Sequence, residues 1–211
     1  MAAGITRKKP PELLTVEEQY FCFNEQDAST GDWTTTFDEE VIEYPTVVDV
    51  TVTENADAWT DWASGQDYAS ESLISYADLE TSNIAVDDAM IERLRGNTVD
   101  GGVVLGGGAA NRPYFAYGIS KLNADGTRDM RWYPKCKLVE SDDTAATSGE
   151  SHSVQELGLT VRAFGFNDHQ DKYVRVLTSE SAMARMTKAA FFAAPLLTKA
   201  DVVAALPSSG G

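Results

Sequence analysis

Thr46-Val47-Val48-Asp49-Val50-Thr51-Val52-Thr53 is β-branched at seven of its eight positions. Branching at Cβ restricts χ1, which costs entropy in a helix and suits a pleated surface, so this stretch reads as a strand. Its surroundings follow the same pattern. Upstream, Thr15 to Asn24 alternates loosely through Val16, Tyr20, Phe21 and Phe23, and short strands are expected at Thr34–Phe37 and Val41–Tyr44 after the Gly31-Asp32 turn. Downstream, Glu54 to Glu71 is rich in Ser, Asn and Asp and reads as a long loop, and Leu73 to Ile84 as one strand or two.

Further along, Tyr114–Lys121 and Arg128–Lys137 form the two arms of a hairpin, with Asp125-Gly126 at its turn. Pro134 cannot donate to a ladder, so the second arm should lie at an edge or carry a bulge. Thr160–Phe166 and Tyr173–Thr178 read as two more strands around an Asn167–Lys172 turn, after a polar loop over Asp142–Ser153. One helix is expected, Asp87 to Arg95. Acids open it, arginines close it, Gly96 stops it, and Met90, Ile91 and Leu94 form its apolar stripe. The chain thus reads as mainly β (α+β): one domain over 1–180 with a single flanking helix, then an alanine-rich C-terminal arm over 181–211.

Charge is distributed by region. Between Pro10 and Glu92 there are 21 Asp and Glu and no Lys or Arg, whereas residues 93–211 hold 14 basic against 12 acidic groups, and the net charge is −16. A surface of one sign repels polyanions, and the scattered basic residues make no stripe of the kind that grips DNA or RNA. No apolar run approaches the roughly 20 residues of a membrane helix. The N-terminus, with Arg7, Lys8 and Lys9, has no apolar stretch after its charges and does not read as a secretory signal. Cys22 and Cys136 stand far apart without a CxxC partner, which argues against a zinc site or a disulfide framework. Both read as thiols, with a single disulfide as the alternative.

Chemical motifs are weak. Gly101 to Gly108 lacks the Lys of a phosphate loop and the third Gly of a dinucleotide fingerprint, so it reads as a backbone device for turns and close approach. Asp168-His169-Gln170-Asp171 lies between two strands and reads as a hairpin tip rather than a metal ligand or a base. Asn123-Ala124-Asp125-Gly126 would put Lys121 at the first position of a calcium loop, with no Glu at the twelfth. Neither a nucleophile elbow nor a paired-carboxylate pattern occurs around Ser151, His152 and Ser153 or elsewhere. No catalytic residue, cofactor or metal is expected. Assembly is suggested instead by Trp59, Trp62 and Tyr68 within the acidic Glu54–Glu71 segment, where large aromatics are either tucked onto their own core or are anchors for a partner. It is also suggested by the run holding Phe191, Phe192, Pro195 and Leu196, which reads as a core strand or helix or as an arm laid on a neighbouring subunit, the arm being favoured.

Three pieces in order give the chain a likeness to a known family. They are Thr46–Thr53 with the polar segment after it; the helix Asp87–Arg95 with Gly96, a Gly-rich stretch and Asn111-Arg112-Pro113 leading into Tyr114-Phe115-Ala116-Tyr117-Gly118; and the hairpin into Met130-Arg131-Trp132-Tyr133-Pro134-Lys135-Cys136-Lys137. Together they span Thr46 to Leu177 and resemble the major tail proteins of long-tailed siphophages. The resemblance implies a β-sandwich or half-barrel tail-tube fold and a structural virion protein. Six subunits would close a ring, and rings would stack into a tube that conducts DNA into the host, assembled in the host cytoplasm. The implied partners are the chain itself and other tail proteins such as the tape measure and tail terminator. DNA would pass through the lumen unbound, repelled by carboxylates, and no membrane is involved. The alternative is an acidic β-sandwich that binds a ligand on, or decorates, a phage particle.

Overall fold

The computed structural model describes residues 9–63, 66–106, 112–141 and 156–208, with side-chain surroundings described outside 56–74 and 140–141. Ten strands and three helices follow in order: β1 Leu13–Phe23, β2 Ile42–Tyr44, β3 Val47–Ala63, β4 Gln66–Asn83, α1 Asp88–Arg95, β5 Thr98–Asp100, β6 Val103–Leu105, β7 Phe115–Asn123, β8 Arg128–Ser141, β9 Leu157–Ala163, β10 Val174–Leu177, α2 Lys188–Phe191 and α3 Lys199–Ala204. Eight strands form one antiparallel sheet in the order β2-β1-β7-β8-β9-β4-β3, with β10 also on β8, and β5 and β6 form a separate hairpin. The terminal strands β2 and β3 are joined by the turn at Pro45 and Thr46, so the sheet curls until its ends meet through the chain. The fold is mainly β, as the composition and periodicity predict.

The expected bulge at Pro134 organises β8. β7 pairs with one side of β8, and its register shifts between Phe115↔Cys136 and Tyr117↔Tyr133. On the other side, β10 pairs from Asp129 to Trp132 and β9 from Cys136 to Ser141. The missing Pro amide thus falls where one ladder ends and the next begins. β9 and β10 do flank the Asn167–Lys172 turn, but each pairs with β8 rather than with the other.

Alternation along the strands builds two cores. The inner, concave one gathers Phe21, Phe115, Tyr117, Tyr133, Leu79 and Val161. α1 packs Met90 and Leu94 into it, with Asp87 as N-cap accepting from the Met90 amide at 2.9 Å and Gly96 as the left-handed C-cap. A buried polar chain crosses this interior: the Tyr117 hydroxyl donates to Gln19 Oε1 at 3.1 Å, Gln19 Nε2 to Asn83 Oδ1 at 2.5 Å, and Asn83 Nδ2 to Thr81 Oγ1 at 3.1 Å. The outer core is built by Tyr20, Ala116, Met130, Trp132 and Val176 with residues from the C-terminal segment. Cys22 belongs to the outer core and Cys136 to the inner, so the sheet lies between the two thiols and both are free. Burial pushes the Cys22 thiol up to about 12.

Three expectations are corrected. The short strand expected at Thr34–Phe37 does not form, and Phe37 makes only an isolated bridge to Asn24. The loop expected over Glu54–Glu71 is a continuation of β3 and β4, paired from Glu54↔Ala77 out to Ala63↔Gln66. Its Ala, Ser and Asp residues have low strand propensity, but cross-strand pairing propagates the register set by the β-branched start. The C-terminal run does not stand free as an arm. Phe191, Phe192 and Leu196 are buried on the outer face of the chain's own sheet, where Phe192 stacks on Tyr20 at 3.9 Å and Trp132 Nε1 donates to the Phe191 carbonyl at 3.0 Å. Gly118 makes room for this, because a Cβ there would lie 2.9 Å from the Phe192 ring and 3.0 Å from Trp132. Thr187 and Thr198 cap the two short helices, the second with a capping box through Asp201.

Asp129 ties β10 to the sheet. Its carboxylate accepts from Arg175 at 2.7 Å and from Arg131 at 2.9 Å. Burial alone would raise its pKa, but the two guanidiniums prevail and hold it below the ordinary 3.8. A carboxyl held low in the folded state stabilises the fold above that ordinary value, and the contribution is lost as the pH falls below it.

Two stability predictions follow from these contacts. Phe192→Ala should cost roughly 3–5 kcal/mol, read by denaturant unfolding of the isolated subunit. An unchanged unfolding midpoint would mean that the segment does not pack on the sheet. Asp129→Asn should cost about 2 kcal/mol at neutral pH, less than a fully buried pair because Arg175 keeps contact with water. The difference from the parent should shrink as the pH is lowered below 3.8, and a constant difference would remove the ion pair from the argument.

Candidate assembly surfaces

Five acids of the cation-free segment meet cations from beyond it. Glu17 pairs with Arg128 at 3.0 Å, Glu18 with Lys188 at 2.6 Å, Asp38 with Arg93 at 2.5 Å, Asp78 with Arg162 at 2.7 Å and Glu92 with Arg95 at 2.8 Å. Burial would raise the Glu17 carboxyl, but hydrogen bonds from Arg128 and Ser120 and the charge of Lys188 bring it below its usual value. Folding therefore blends part of the regional imbalance. Arg93 also lies over the Phe23 ring at 3.6 Å, which fixes α1 across the mouth of the inner core.

One face stays acidic. The registers Asp49↔Ser82, Thr51↔Glu80 and Thr53↔Asp78, then Ser82↔Gly158, Glu80↔Thr160 and Asp78↔Arg162, place these side chains together on the convex side of β3, β4 and β9. The C-terminal segment covers the convex side of β1, β7, β8 and β10 instead. The bare half forms a polar depression of about 350 Å³ lined by Asp49, Thr51, Glu80 and Thr160 among others. Among the described residues Asp49 and Glu80 carry no ion pair. Such a face holds a negative potential that water and salt screen only partly.

Both ends of the sheet carry edges with no ladder partner among the described residues. Among the described residues β3 pairs only with β4, so one side of a 17-residue strand is unpaired along its length. It contains no Lys, Arg or Pro; what blunts it is its acids, Asp49, Glu54, Asp57 and Asp61, and three register shifts against β4. At the other end, β2 covers β1 only at Gln19, Tyr20 and Phe21, and the uncovered start of β1 exposes Leu13 and Leu14. β4 meets β9 only from Ala77 onward, so before that point β3 and β4 run on as a two-stranded ribbon. From Ala56 to Ala63 this ribbon adds roughly 25 Å at about 3.3 Å per residue. Trp59 and Trp62 lie on its β3 arm, and Tyr68 lies on its β4 arm opposite the register shift between Asp61 and Trp62. Of the expected assembly residues, then, the aromatic trio is on the ribbon, while Phe191, Phe192 and Leu196 are in the outer core with Pro195 half-buried beside them.

The weak chemical motifs resolve into backbone features. Gly101 and Gly102 are the turn of the β5–β6 hairpin, both at positive φ; Gly107 and Gly108 lie outside the described residues. His169 is exposed at the turn closed by Gln170 N to the Asn167 carbonyl at 2.9 Å, and His152 lies outside the described residues. Among the described residues no group of three or more His, Cys, Asp or Glu gathers as a metal site, and no helix is long and apolar enough to cross a membrane.

No protein-family description and no curated protein matches the chain. Among solved structures, it is similar to a chain in the cryo-EM structure of the anti-feeding prophage (AFP) baseplate, 6-fold symmetrised. The identity is 10% and the TM-score 0.43, over 81% of this chain and 97% of that one. A likeness at this level does not assign a function.

Proposed function

We propose that this chain is a structural subunit that assembles with copies of itself into rings, and that the rings stack into a phage tail tube through which DNA passes. The open 17-residue edge of β3 carries the reading. A long unpaired edge that opens on a β-branched run is a hazard in a monomer and a joint in a polymer. The other open edge, at the start of β1, is different in sequence. A sheet with two unlike free edges joins head to tail, and such joints close into rings when the rotation allows. The order of sequence elements that resembles siphophage major tail proteins supports the same reading.

The uncovered acidic face is then the lumen wall. Asp49 and Glu80 on β3 and β4 would face DNA phosphates and repel them, which suits a conduit. The ribbon is the axial contact, reaching the next ring with Trp59, Trp62 and Tyr68. Each aromatic buried there contributes ~1.5–3 kcal/mol.

Two outcomes test this. Purified protein should form rings or tubes in negative-stain images, more readily as salt screens the repulsion between chains of net charge −16. A monomer at every salt concentration, by light scattering, would be fatal to the proposal. Trp59→Ala with Trp62→Ala should leave a folded subunit whose rings fail to stack. Unfolding of that variant would instead assign the tryptophans to the subunit's own core, and normal tubes would remove the ribbon as the axial contact.

A further inference from the structure

The hairpin β5–β6 contributes no residue to either core. All six of its strand residues are exposed, with Val99 at 50%, Val103 at 62%, Val104 at 44% and Leu105 at 74%. The register Val99↔Val104 puts two valines on one side, and Thr98↔Leu105 with Asp100↔Val103 puts Leu105 and Val103 on the other. Both sides of the hairpin are therefore apolar. A lone two-stranded hairpin is at best marginally stable in water. This one is held at its base, where Asn97 donates to the Glu92 carboxylate and Gly106 packs against the Asn97 amide. Four exposed aliphatic side chains on so small an element form the apolar tip of a contact rather than scattered surface residues.

A groove of matching character lies on the other side of the sheet. Its cavity, about 440 Å³, runs between β10 and the C-terminal segment and takes Met183, Leu197 and Val202 into its walls. Five consecutive residues, Tyr173 to Leu177, also line it. Side chains alternate along a strand, so a run of five borders a cavity along the strand's edge and not its face. Among the described residues β10 pairs only with β8, so that edge has no ladder partner. An apolar groove beside an unpaired edge receives an added strand or hairpin.

We infer that the β5–β6 hairpin of one copy docks in the β10 groove of a second copy, as a further subunit contact beside the sheet edges. This rests on the self-assembly reading above. The hairpin follows α1, whose Met90 and Leu94 lie in the inner core, whereas the groove is built on the outer core. The sheet separates them, so a chain does not fill its own groove. Identical copies can each give a hairpin and receive one. Charge favours the same occupant. Two chains of net charge −16 meet most easily where acids do not oppose one another. The groove balances Asp171 and Glu180 against Arg175 and Lys199, and Asp100 is the hairpin's single charge from Thr98 to Leu105.

Cysteine crosslinking tests the contact, because the native Cys22 and Cys136 are fully buried. Subunits carrying Leu105→Cys are mixed with subunits carrying Leu197→Cys under mild oxidation. A disulfide-linked heterodimer in the mixture, well above the homodimers of either preparation alone, is the expected result. In parallel, Val103→Asp with Leu105→Asp should leave thermal unfolding unchanged and weaken self-association at least about tenfold. If the parent chain assembles, while no heterodimer forms and the double variant assembles equally well, the hairpin–groove contact is wrong and self-assembly stands. If the parent chain shows no self-association at any salt concentration, both ideas fall.

Discussion

Pro134 has no amide proton, and the sheet is arranged around that fact. A strand as long as β8 would ordinarily meet one neighbour on each side. Here its second side is divided between β10 and β9, with the break at Tyr133, Pro134 and Lys135. The Phe164 amide then reaches the Lys135 carbonyl at 2.8 Å, so β9 leaves the sheet where β10 has made room for it. Alternation sends Trp132 to the outer core and Tyr133 to the inner one, and the bulge keeps Cys136, three residues further on, on the inner side as well. Ladder chemistry at one residue thereby decides both the path of the chain and the division of its apolar side chains.

The two cores do different work. The inner one closes the curl of the sheet and carries α1, and its buried polar chain from Tyr117 through Gln19 to Asn83 and Thr81 ties β7, β1 and β4 together. Buried amides cost free energy unless paired, so this chain penalises a slipped register that would strand any member. The outer core belongs to the C-terminal segment. Without the rings of Phe191 and Phe192, the faces of Tyr20 and Trp132 would meet water. That requirement explains why a segment with apolar residues on every side folds back on its own subunit.

What the two cores leave uncovered is a consistent set of surfaces. The convex side of β3, β4 and β9 is polar and acidic, the two ends of the sheet are open and unlike, a ribbon runs beyond the sheet, and a small apolar hairpin stands apart from it. The ion pairs from Glu17, Glu18, Asp38 and Asp78 draw the later basic residues back against the acidic segment, and among the described residues they leave Asp49 and Glu80 on the β3–β4 face without an ion pair. The proposed assembly would draw on these edges and patches.

The strands with β-branched or aromatic alternation, the hairpin at Asp125-Gly126, the irregularity at Pro134 and the capped helix α1 were all legible in the sequence, because each rests on interactions within a few residues: restricted χ1, turn backbone, a missing donor, a dipole and its caps. The regional charge bias was legible too. Long-range partners decided the rest. The stretch after Glu54 is strand only because β3 and β4 pair with each other, and its own Ala, Ser and Asp residues carry no such preference. Which apolar run becomes core depends on which face of the sheet is bare, so Phe191 and Phe192 could not be assigned before Gly118, Tyr20 and Trp132 were seen to make a seat for them. The Thr198–Asp201 capping box was the local signal that could have marked the C-terminal segment as helical. The exposure of β5–β6 had no local signal: four aliphatic residues around a Gly-Gly turn read the same whether buried or bare, and only the tertiary structure, by leaving them exposed among the described residues, made them a surface.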